Sequence, residues 1–158
     1  MARTYVITGS ASGIGLATAE KLKSLGNTVI GVDIHNADVV ADLSTPQGRV
    51  DAAKKAIELS NNSIDAIIAC AGLAHPIATT VSVNYFGVTE FLNELLPTLT
   101  KSKTPRVVIT SSVASIMPNS AELVEAMCVN DEAKAIKIAQ GLVDAAAGGE
   151  EELGRERR

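Results

Sequence analysis

The sequence predicts an α/β fold in which a parallel β-sheet is covered by helices. Short apolar strand patterns alternate with helical patterns along the first two thirds of the chain, and such alternation is typical of right-handed strand–helix–strand crossovers. The composition agrees, because 46% of the 158 residues are hydrophobic but only 3% are aromatic. A core built mainly from Ala, Val, Ile and Leu suits a parallel sheet that is buried on both faces.

The first two strands and the helix between them have the clearest patterns. An apolar run predicts a strand over residues 4–8, and apolar residues at helical spacing predict a helix over 14–25 that stops at Gly26. A second apolar run predicts a strand over 28–33, and a short one predicts a third strand over 39–43.

The alternation continues to residue 111. Thr45 and Pro46 have the residue types that favour an N-cap and a first helical position, and the helix they begin is predicted to reach about residue 59. Three further elements are then predicted: a strand over 64–69, a helix over about 79–99 and a strand over 106–111.

The alternation of strand and helix patterns ends after Pro118, where no further strand pattern is visible. Helices are predicted over 120–128 and 131–147, whereas glycine followed by mixed charge predicts disorder from Gly148 onward. We therefore divide the chain into a nucleotide-binding portion over 1–118, a helical segment over 119–147 and a disordered tail over 148–158.

The turn between the first strand and the first helix is rich in small residues, namely Gly9, Ser12, Gly13, Ile14 and Gly15 with their neighbours. Small residues let the backbone approach a pyrophosphate, and the helix N-terminus presents N–H groups and a partial positive charge to it. The pattern predicts a dinucleotide phosphate site. The alternative is a glycine-rich turn without a ligand.

Asp33 ends the second predicted strand, where the acidic ribose-binding residue of a dinucleotide fold is expected. A carboxylate at this position accepts hydrogen bonds from the ribose hydroxyls and repels a 2′-phosphate. Only His35 supplies a basic group directly after it, so the pattern favours NAD over NADP. The alternative for Asp33 is a solvated loop acid.

Charge and residue types exclude several other classes of function. The net charge is −4 and no basic stripe occurs, which argues against a nucleic-acid partner. The two histidines lack the spacing of a metal site, and no apolar run approaches the 18 residues or more of a membrane span. Cys70 and Cys128 do not form a disulfide framework and are predicted to be packing residues. We expect a cytoplasmic protein.

Several motifs together resemble those of the short-chain dehydrogenases/reductases. The cofactor fingerprint of that family is similar to Gly9-x-x-x-Gly13-x-Gly15. Further matches are Ala41-Asp42-Leu43, Cys70-Ala71-Gly72, Val83-Asn84-Tyr85-Phe86-Gly87 and Ile109-Thr110-Ser111-Ser112-Val113-Ala114-Ser115. The resemblance implies a Rossmann-type doubly wound parallel sheet, here of five strands in the order 3-2-1-4-5, with NAD as the cofactor.

The resemblance also implies a role for each matching residue. Ser112 would bind a substrate carbonyl and stabilise the developing alkoxide, and Asn84 corresponds to an asparagine that organises a water beside the proton relay. Residues 119–147 resemble a helical insertion near the substrate site. Cofactor contacts are implied for Gly9, Ser12, Gly13, Ile14, Gly15, Asp33, Ile34, Asp42, Leu43, Cys70, Ala71 and Gly72.

The chain departs from the family pattern after Ser112. The family uses Tyr-x-x-x-Lys as its general acid/base, but the two tyrosines here, Tyr5 and Tyr85, precede the serine and neither has Lys four positions on. Two strands of the family sheet also have no counterpart. We therefore expect a truncated chain with little or no activity, and an exposed edge over 106–111 that favours self-association.

The function that the resemblance implies is NAD-dependent oxidation of secondary alcohols and reduction of ketones by a homo-oligomer. The sequence does not specify the substrate, because 3α-hydroxysteroids, aromatic ketones and simple alcohols all fit. Two alternatives remain open at this point. One alternative to the oxidoreductase is a non-catalytic NAD-binding module, and the other is a remnant of a truncated gene that binds nothing stably.

Overall fold

The computed structural model describes residues 2–156, and its strands form one parallel sheet. The predicted strand order is confirmed: β3-β2-β1-β4-β5, with parallel pairing throughout. The strands are β1 (Thr4–Thr8), β2 (Thr28–Asp33), β3 (Val39–Val40), β4 (Ala66–Ala69) and β5 (Arg106–Ile109).

Helices cover the sheet on both faces, as the sequence predicts. The helices of the described residues are α1 (Gly13–Ser24), α2 (Pro46–Leu59), α3 (Thr79–Val81), α4 (Gly87–Leu99), α5 (Ala121–Cys128) and α6 (Glu132–Glu156). Of these, α1 packs on one face of the sheet, and α2 and α4 pack on the other. A π-helical turn (Ser82–Phe86) joins α3 to α4, and a 3₁₀ turn (Val113–Ile116) follows β5.

The core lies on both sides of β1, because successive side chains of a strand point to opposite faces. Val6 is fully buried in the larger cluster, which includes Phe91 and Leu95 of α4 together with alanines of α2. Ile7 is buried on the other face, where it packs in a cluster with Ala19 of α1.

The register brings the carboxyl ends of three strands to one edge of the sheet. Thr8 of β1 lies opposite Val32 of β2 on one side and Ala69 of β4 on the other. The segments that follow these strands therefore meet at this edge, as expected for the ligand-binding end of an open α/β sheet.

The long helix predicted over 79–99 is interrupted by the π turn. There the N–H of Gly87 donates to the carbonyl of Ser82, five residues back. Three strands are also shorter than predicted: β3 stops at Val40, β4 starts at Ala66 and β5 stops at Ile109. In each case the predicted range extends past the residues that pair with a neighbouring strand.

The two C-terminal helices pack together against the π turn. Phe86, Ala126 and Ala135 are fully buried in the cluster that joins them. Helix α6 runs to Glu156, whereas the sequence predicts disorder from residue 148. Alanine, glutamate, leucine and arginine all favour helix, and this preference outweighs the glycines that suggested a break. Residues 157–158 lie outside the described part of the chain.

Candidate active site

A groove of about 670 Å³ lies at the carboxyl edge of the sheet. Its walls come from the turn after β1, the end of β2, the segment after β3 and the segment after β4. Every residue that the sequence assigns to the cofactor lines it: Gly9, Ser12, Gly13, Ile14, Gly15, Asp33, Ile34, Asp42, Leu43, Cys70, Ala71 and Gly72. The tertiary structure thus brings four separate segments into one concave surface.

Two glycines of the first turn are required by close backbone packing. Gly9 has φ +69°, and a Cβ there would lie 2.7 Å from the backbone nitrogen of Ala71. A Cβ at Gly15 would overlap the carbonyl oxygen of Gly9. Only glycine lets the turn lie this close to both the segment after β4 and the first turn of α1.

Gly13 is different, because it faces open space. Its φ is +52°, and no protein atom lies within 4 Å of the position a Cβ would occupy. The N-cap residue Ser12 makes no side-chain hydrogen bond to the first turn of α1. The N–H groups at this helix end are therefore available to an anion in the groove.

The Asp33 carboxylate is held at the rim of the groove by two backbone hydrogen bonds. Its Oδ2 accepts from the N–H of Ala11 at 2.9 Å, and its Oδ1 accepts from the N–H of Ile34 at 2.7 Å. The His35 Nδ1 lies 4.0 Å from Oδ1. Because each carboxylate oxygen can accept more than one hydrogen bond, the group can still accept from hydroxyls of a ligand.

Asp42 and Leu43 form the wall that follows β3. The Asp42 Oδ1 accepts from the N–H of Ser44 at 2.8 Å, which closes a local turn of the kind aspartate favours. The Leu43 side chain is buried in the larger core cluster. Asp42 thus stabilises the backbone turn of this wall, and Leu43 attaches the wall to the core.

The segment after β4 is attached to β1 through a threonine. The Thr8 hydroxyl oxygen accepts from the N–H groups of Cys70 at 3.2 Å and Ala71 at 3.1 Å. The half-buried Cys70 thiol accepts from the hydroxyl of Thr110. Cys128, by contrast, is exposed at the end of α5, so its predicted packing role is wrong because the side chain lies on the outer face of that helix.

The two residues assigned to catalysis do not line the groove. The Asn84 side chain, in the π turn, makes two hydrogen bonds with the backbone of Leu73. Its Oδ1 accepts from the N–H of Leu73 at 2.7 Å, and its Nδ2 donates to the Leu73 carbonyl at 2.9 Å. Ser112 is exposed and caps the 3₁₀ turn, accepting from the N–H of Ala114 at 3.2 Å. Asn84 therefore orders the loop after β4, and Ser112 lies beyond the end of β5.

Sequence reasoning missed part of the groove lining. Leu73, Thr79 and Val83 come from the loop after β4 and the helical segments that follow it, and no local pattern distinguishes them from other apolar or helix-starting residues. The other missed residues are sequence neighbours of predicted ones: Val32, His35, Ala41 and Ser44.

The described residues contain no group of three or more His, Cys, Asp or Glu side chains that could hold a metal ion. Over the same part of the chain, no helix is both long enough and apolar enough to cross a membrane.

Comparison with known proteins connects this geometry to one family. The family model for short chain dehydrogenase matches residues 3–124. A 3-alpha-hydroxysteroid dehydrogenase/carbonyl reductase from Comamonas testosteroni is 40% identical over 140 residues, which are 85% of this chain and 54% of that protein. A coniferyl-alcohol dehydrogenase from a Pseudomonas species is 42% identical over 101 residues, 58% of this chain and 37% of that protein. The chain spans about half the length of these relatives or less.

Solved structures of dehydrogenases have a similar fold. The 3-alpha-hydroxysteroid dehydrogenase from Pseudomonas sp. B-0831, crystallised with NADH, has a TM-score of 0.83 and 43% identity, covering 88% of this chain and 62% of that one. An aldohexose dehydrogenase from Thermoplasma acidophilum is 21% identical with a TM-score of 0.66, which is a likeness of fold alone.

Proposed function

The chain belongs to the short chain dehydrogenase family, and from this premise we propose that its groove binds NAD(H). The bound cofactor would supply or accept a hydride in the interconversion of a secondary alcohol and a ketone. The structure of the 3-alpha-hydroxysteroid dehydrogenase from Pseudomonas sp. B-0831, which was crystallised with NADH, supports this proposal.

One observation carries the proposal: the groove combines an uncapped helix N-terminus with an acidic residue at the end of the next strand. A pyrophosphate fits the first feature, because the space beside Gly13 is open and the N–H groups of α1 are not capped by Ser12. An adenosine ribose fits the second, because Asp33 accepts hydrogen bonds from paired hydroxyls. Asp42 and Leu43 would border the adenine, and Cys70 to Gly72 would lie along the nicotinamide half.

The position of Asp33 favours binding of NAD(H) over binding of NADP(H). Two backbone N–H groups hold its carboxylate at the rim of the groove, so it cannot turn away from a ligand without losing them. A 2′-phosphate on the ribose would place negative charge against this carboxylate. The expected preference is therefore for the cofactor without that phosphate.

Ser112 is the proposed contact to the substrate oxygen. Its hydroxyl oxygen accepts from Ala114, which leaves its hydrogen to donate to a carbonyl or alkoxide oxygen. Val113, Ile116 and Met117 of the adjacent turn are exposed and would suit an apolar alcohol or ketone. A 3α-hydroxysteroid belongs to this class, as the name of the Comamonas relative indicates.

We propose that the 158-residue chain binds cofactor but turns over slowly or not at all. Proton transfer needs an acid of tuned pKa near the substrate oxygen, and serine alone does not supply one. Neither tyrosine is placed to supply the proton. Tyr5 lies near the amino end of β1, at the opposite end of the sheet from Ser112. Tyr85 packs edge-on against Phe86, with ring centroids 5.1 Å apart. A non-catalytic NAD-binding module is therefore the second candidate.

The proposal includes a homo-oligomeric state and a cytoplasmic location. Exposed apolar residues along β5 support association. Cys70 and Cys128 are both free thiols, as is usual in a reducing compartment.

The test is a fluorescence titration with NADH, followed by steady-state reduction of a ketosteroid and of a simple ketone at saturating NADH. Binding with turnover supports the oxidoreductase, and binding without turnover supports the non-catalytic module. A chain that is folded by circular dichroism but binds no NADH at millimolar concentration would overturn both.

A further inference from the structure

Arg49 of α2 is fully buried, although arginine is among the residues least often found inside a protein. Its guanidinium contacts two carboxylates from distant parts of the chain. Nη1 donates to Glu90 of α4 at 2.6 Å and to Glu132 of α6 at 2.7 Å, and Nη2 donates to the second oxygen of Glu132 at 2.5 Å. Arg49 therefore joins three helices, and its contact with Glu132 is bidentate.

Two N–H groups of Arg49 remain, and they face three backbone carbonyls. Nε donates to the carbonyl of Leu43 at 2.8 Å, and the second hydrogen of Nη2 is shared between the carbonyls of Ser44 at 3.0 Å and Ser82 at 3.3 Å. Leu43 and Ser44 both line the groove. The same guanidinium thus holds the wall after β3 on one side and the first turn of α6 on the other.

The approach of α2 to this wall is close. A Cβ at Gly48, the residue before Arg49, would overlap the carbonyl oxygen of Asp42. The Thr45 hydroxyl donates to that same carbonyl at 3.2 Å and accepts from the N–H of Gly48 at 3.1 Å. The segment from Asp42 to Ser44 is therefore tied to the start of α2, and a change at Arg49 reaches it directly.

A buried ion pair of this kind is weak evidence for stability. Apolar residues of similar volume often fill such a site equally well, whereas removing one partner leaves an uncompensated charge. Burial opposes the charged form of Arg49, but the hydrogen bonds with Glu132 and Glu90 raise the pKa of the guanidinium above its ordinary value. The arginine stays charged, and its fixed fork of donors specifies one arrangement of the carbonyls around it.

We propose that Arg49 and Glu132 are positioning residues through which α6 sets the adenosine-side wall of the groove. Dinucleotide binding and the docking of α6 are then linked, and each strengthens the other. This inference rests on the proposed function, because the ligand it concerns is the adenosine half of the dinucleotide.

The first measurement needs no ligand. In the free protein, amide hydrogen exchange at Ser44, whose N–H donates to Asp42, should be about 5-fold or more faster in Glu132→Gln than in the unmutated chain. Glu125→Gln is the matched control, since Glu125 is exposed on the neighbouring helix α5. Exchange at Ile7 and Ile67, in the core strands, should not change in either variant.

The second measurement uses ADP-ribose as the probe. Its affinity by calorimetry should fall about 5-fold to 10-fold in Glu132→Gln and stay unchanged in Glu125→Gln. By reciprocity, ADP-ribose should slow amide exchange around Ala135 of α6 in the unmutated protein. This last observation requires no variant, so it remains decisive even if Glu132→Gln folds poorly.

The outcomes separate the two proposals. If the unmutated protein binds no ADP-ribose, the proposed function is overturned and the linkage with it. If it binds, but α6 gains no protection and Glu132→Gln matches the control in both Ser44 exchange and affinity, the linkage is wrong while the proposed function stands. Faster Ser44 exchange, lower affinity and protection of α6 together support the linkage.

Discussion

The Asp33 carboxylate accepts a hydrogen bond from the N–H of Ala11 at 2.9 Å. This contact joins the end of β2 to the glycine-rich turn after β1, so the proposed ribose site and phosphate site hold each other in place. Asp33 therefore has a structural role as well as the binding role that its position predicts.

Asp33 substitutions should separate these two roles. NADH is expected to bind more tightly than NADPH, and Asp33→Asn should narrow that difference by about 1–3 kcal/mol because the charge is lost while an oxygen remains to accept from Ala11. Asp33→Ala should narrow it as well and also lower the unfolding temperature. Calorimetric titration of both cofactors against each variant measures the effect, and equal affinities in the unmutated protein would contradict the assignment.

Gly13 and Gly26 form a matched pair for testing the phosphate site. Both have positive φ, +52° and +79°, and a Cβ at either would meet no protein atom within 4 Å. Valine at either position should cost about 1–2 kcal/mol of stability. Gly13→Val should also weaken NADH binding about 100-fold or more, because its side chain would occupy the phosphate position, whereas Gly26→Val, at the far end of α1, should bind normally. Undiminished binding by Gly13→Val would refute the site.

Catalysis by the 158-residue chain is expected to be at or near background, because no tyrosine follows Ser112 in the sequence. Ketone reduction at saturating NADH should therefore be slow, and Ser112→Ala should not lower it further. Following NADH absorbance with both proteins checks this. Robust turnover that disappears in Ser112→Ala would mean that another residue of this chain supplies the proton.

The β5 edge is expected to drive self-association. Val107, Val108 and Ile109 are 43%, 55% and 53% exposed, so α5 and α6 do not cover this strand within the described part of the chain. Val108→Lys should shift the protein toward monomer, because a charge on an edge strand opposes edge pairing.

The control is Val40→Lys, which places the same charge at an exposed position of the opposite edge strand and should leave the association unchanged. Analytical ultracentrifugation over a concentration series measures both, and a monomeric unmutated chain at high concentration with a cooperative melt at high temperature would disprove the expectation.

Asp65 is expected to make stability depend on pH. Hydrogen bonds from the Ser102 hydroxyl at 2.6 Å and the Thr4 N–H at 2.9 Å, together with the charge of Arg3, lower the pKa of this carboxyl, although burial opposes them. A lowered folded-state pKa gives stabilisation that is fully present above the unfolded value of about 3.9 and is lost as the pH falls through the folded value.

Asp65→Asn should therefore destabilise the protein at pH 7 by about 1.5 kcal/mol, the lower end of the scale for hydrogen bonds to charged groups. The difference from the unmutated protein should shrink steadily below pH 4. Asp51→Asn, on the exposed face of α2, is the control. Urea unfolding at several pH values tests this, and a difference that persists unchanged at pH 2 would contradict it.

Local patterns in the sequence determined most of the groove. The glycine-rich turn and Asp33 could be located from one strand–turn–helix unit and the strand that follows it, because those contacts form between segments close in the chain. The strand order followed from the family resemblance, and β5 was expected to be an edge. The role of 119–147 as a substrate-site insertion stays a prediction, as does the division of the chain into three parts.

Only the tertiary structure decided how distant segments meet. Nothing near Arg49 in the sequence indicates that it is buried, because its partners Glu90 and Glu132 lie 41 and 83 positions away. The π turn that brings Asn84 to Leu73 likewise escapes local reasoning. Periodicity and turn chemistry report on a residue's immediate neighbours, whereas the burial of a charge depends on which remote groups pack against it.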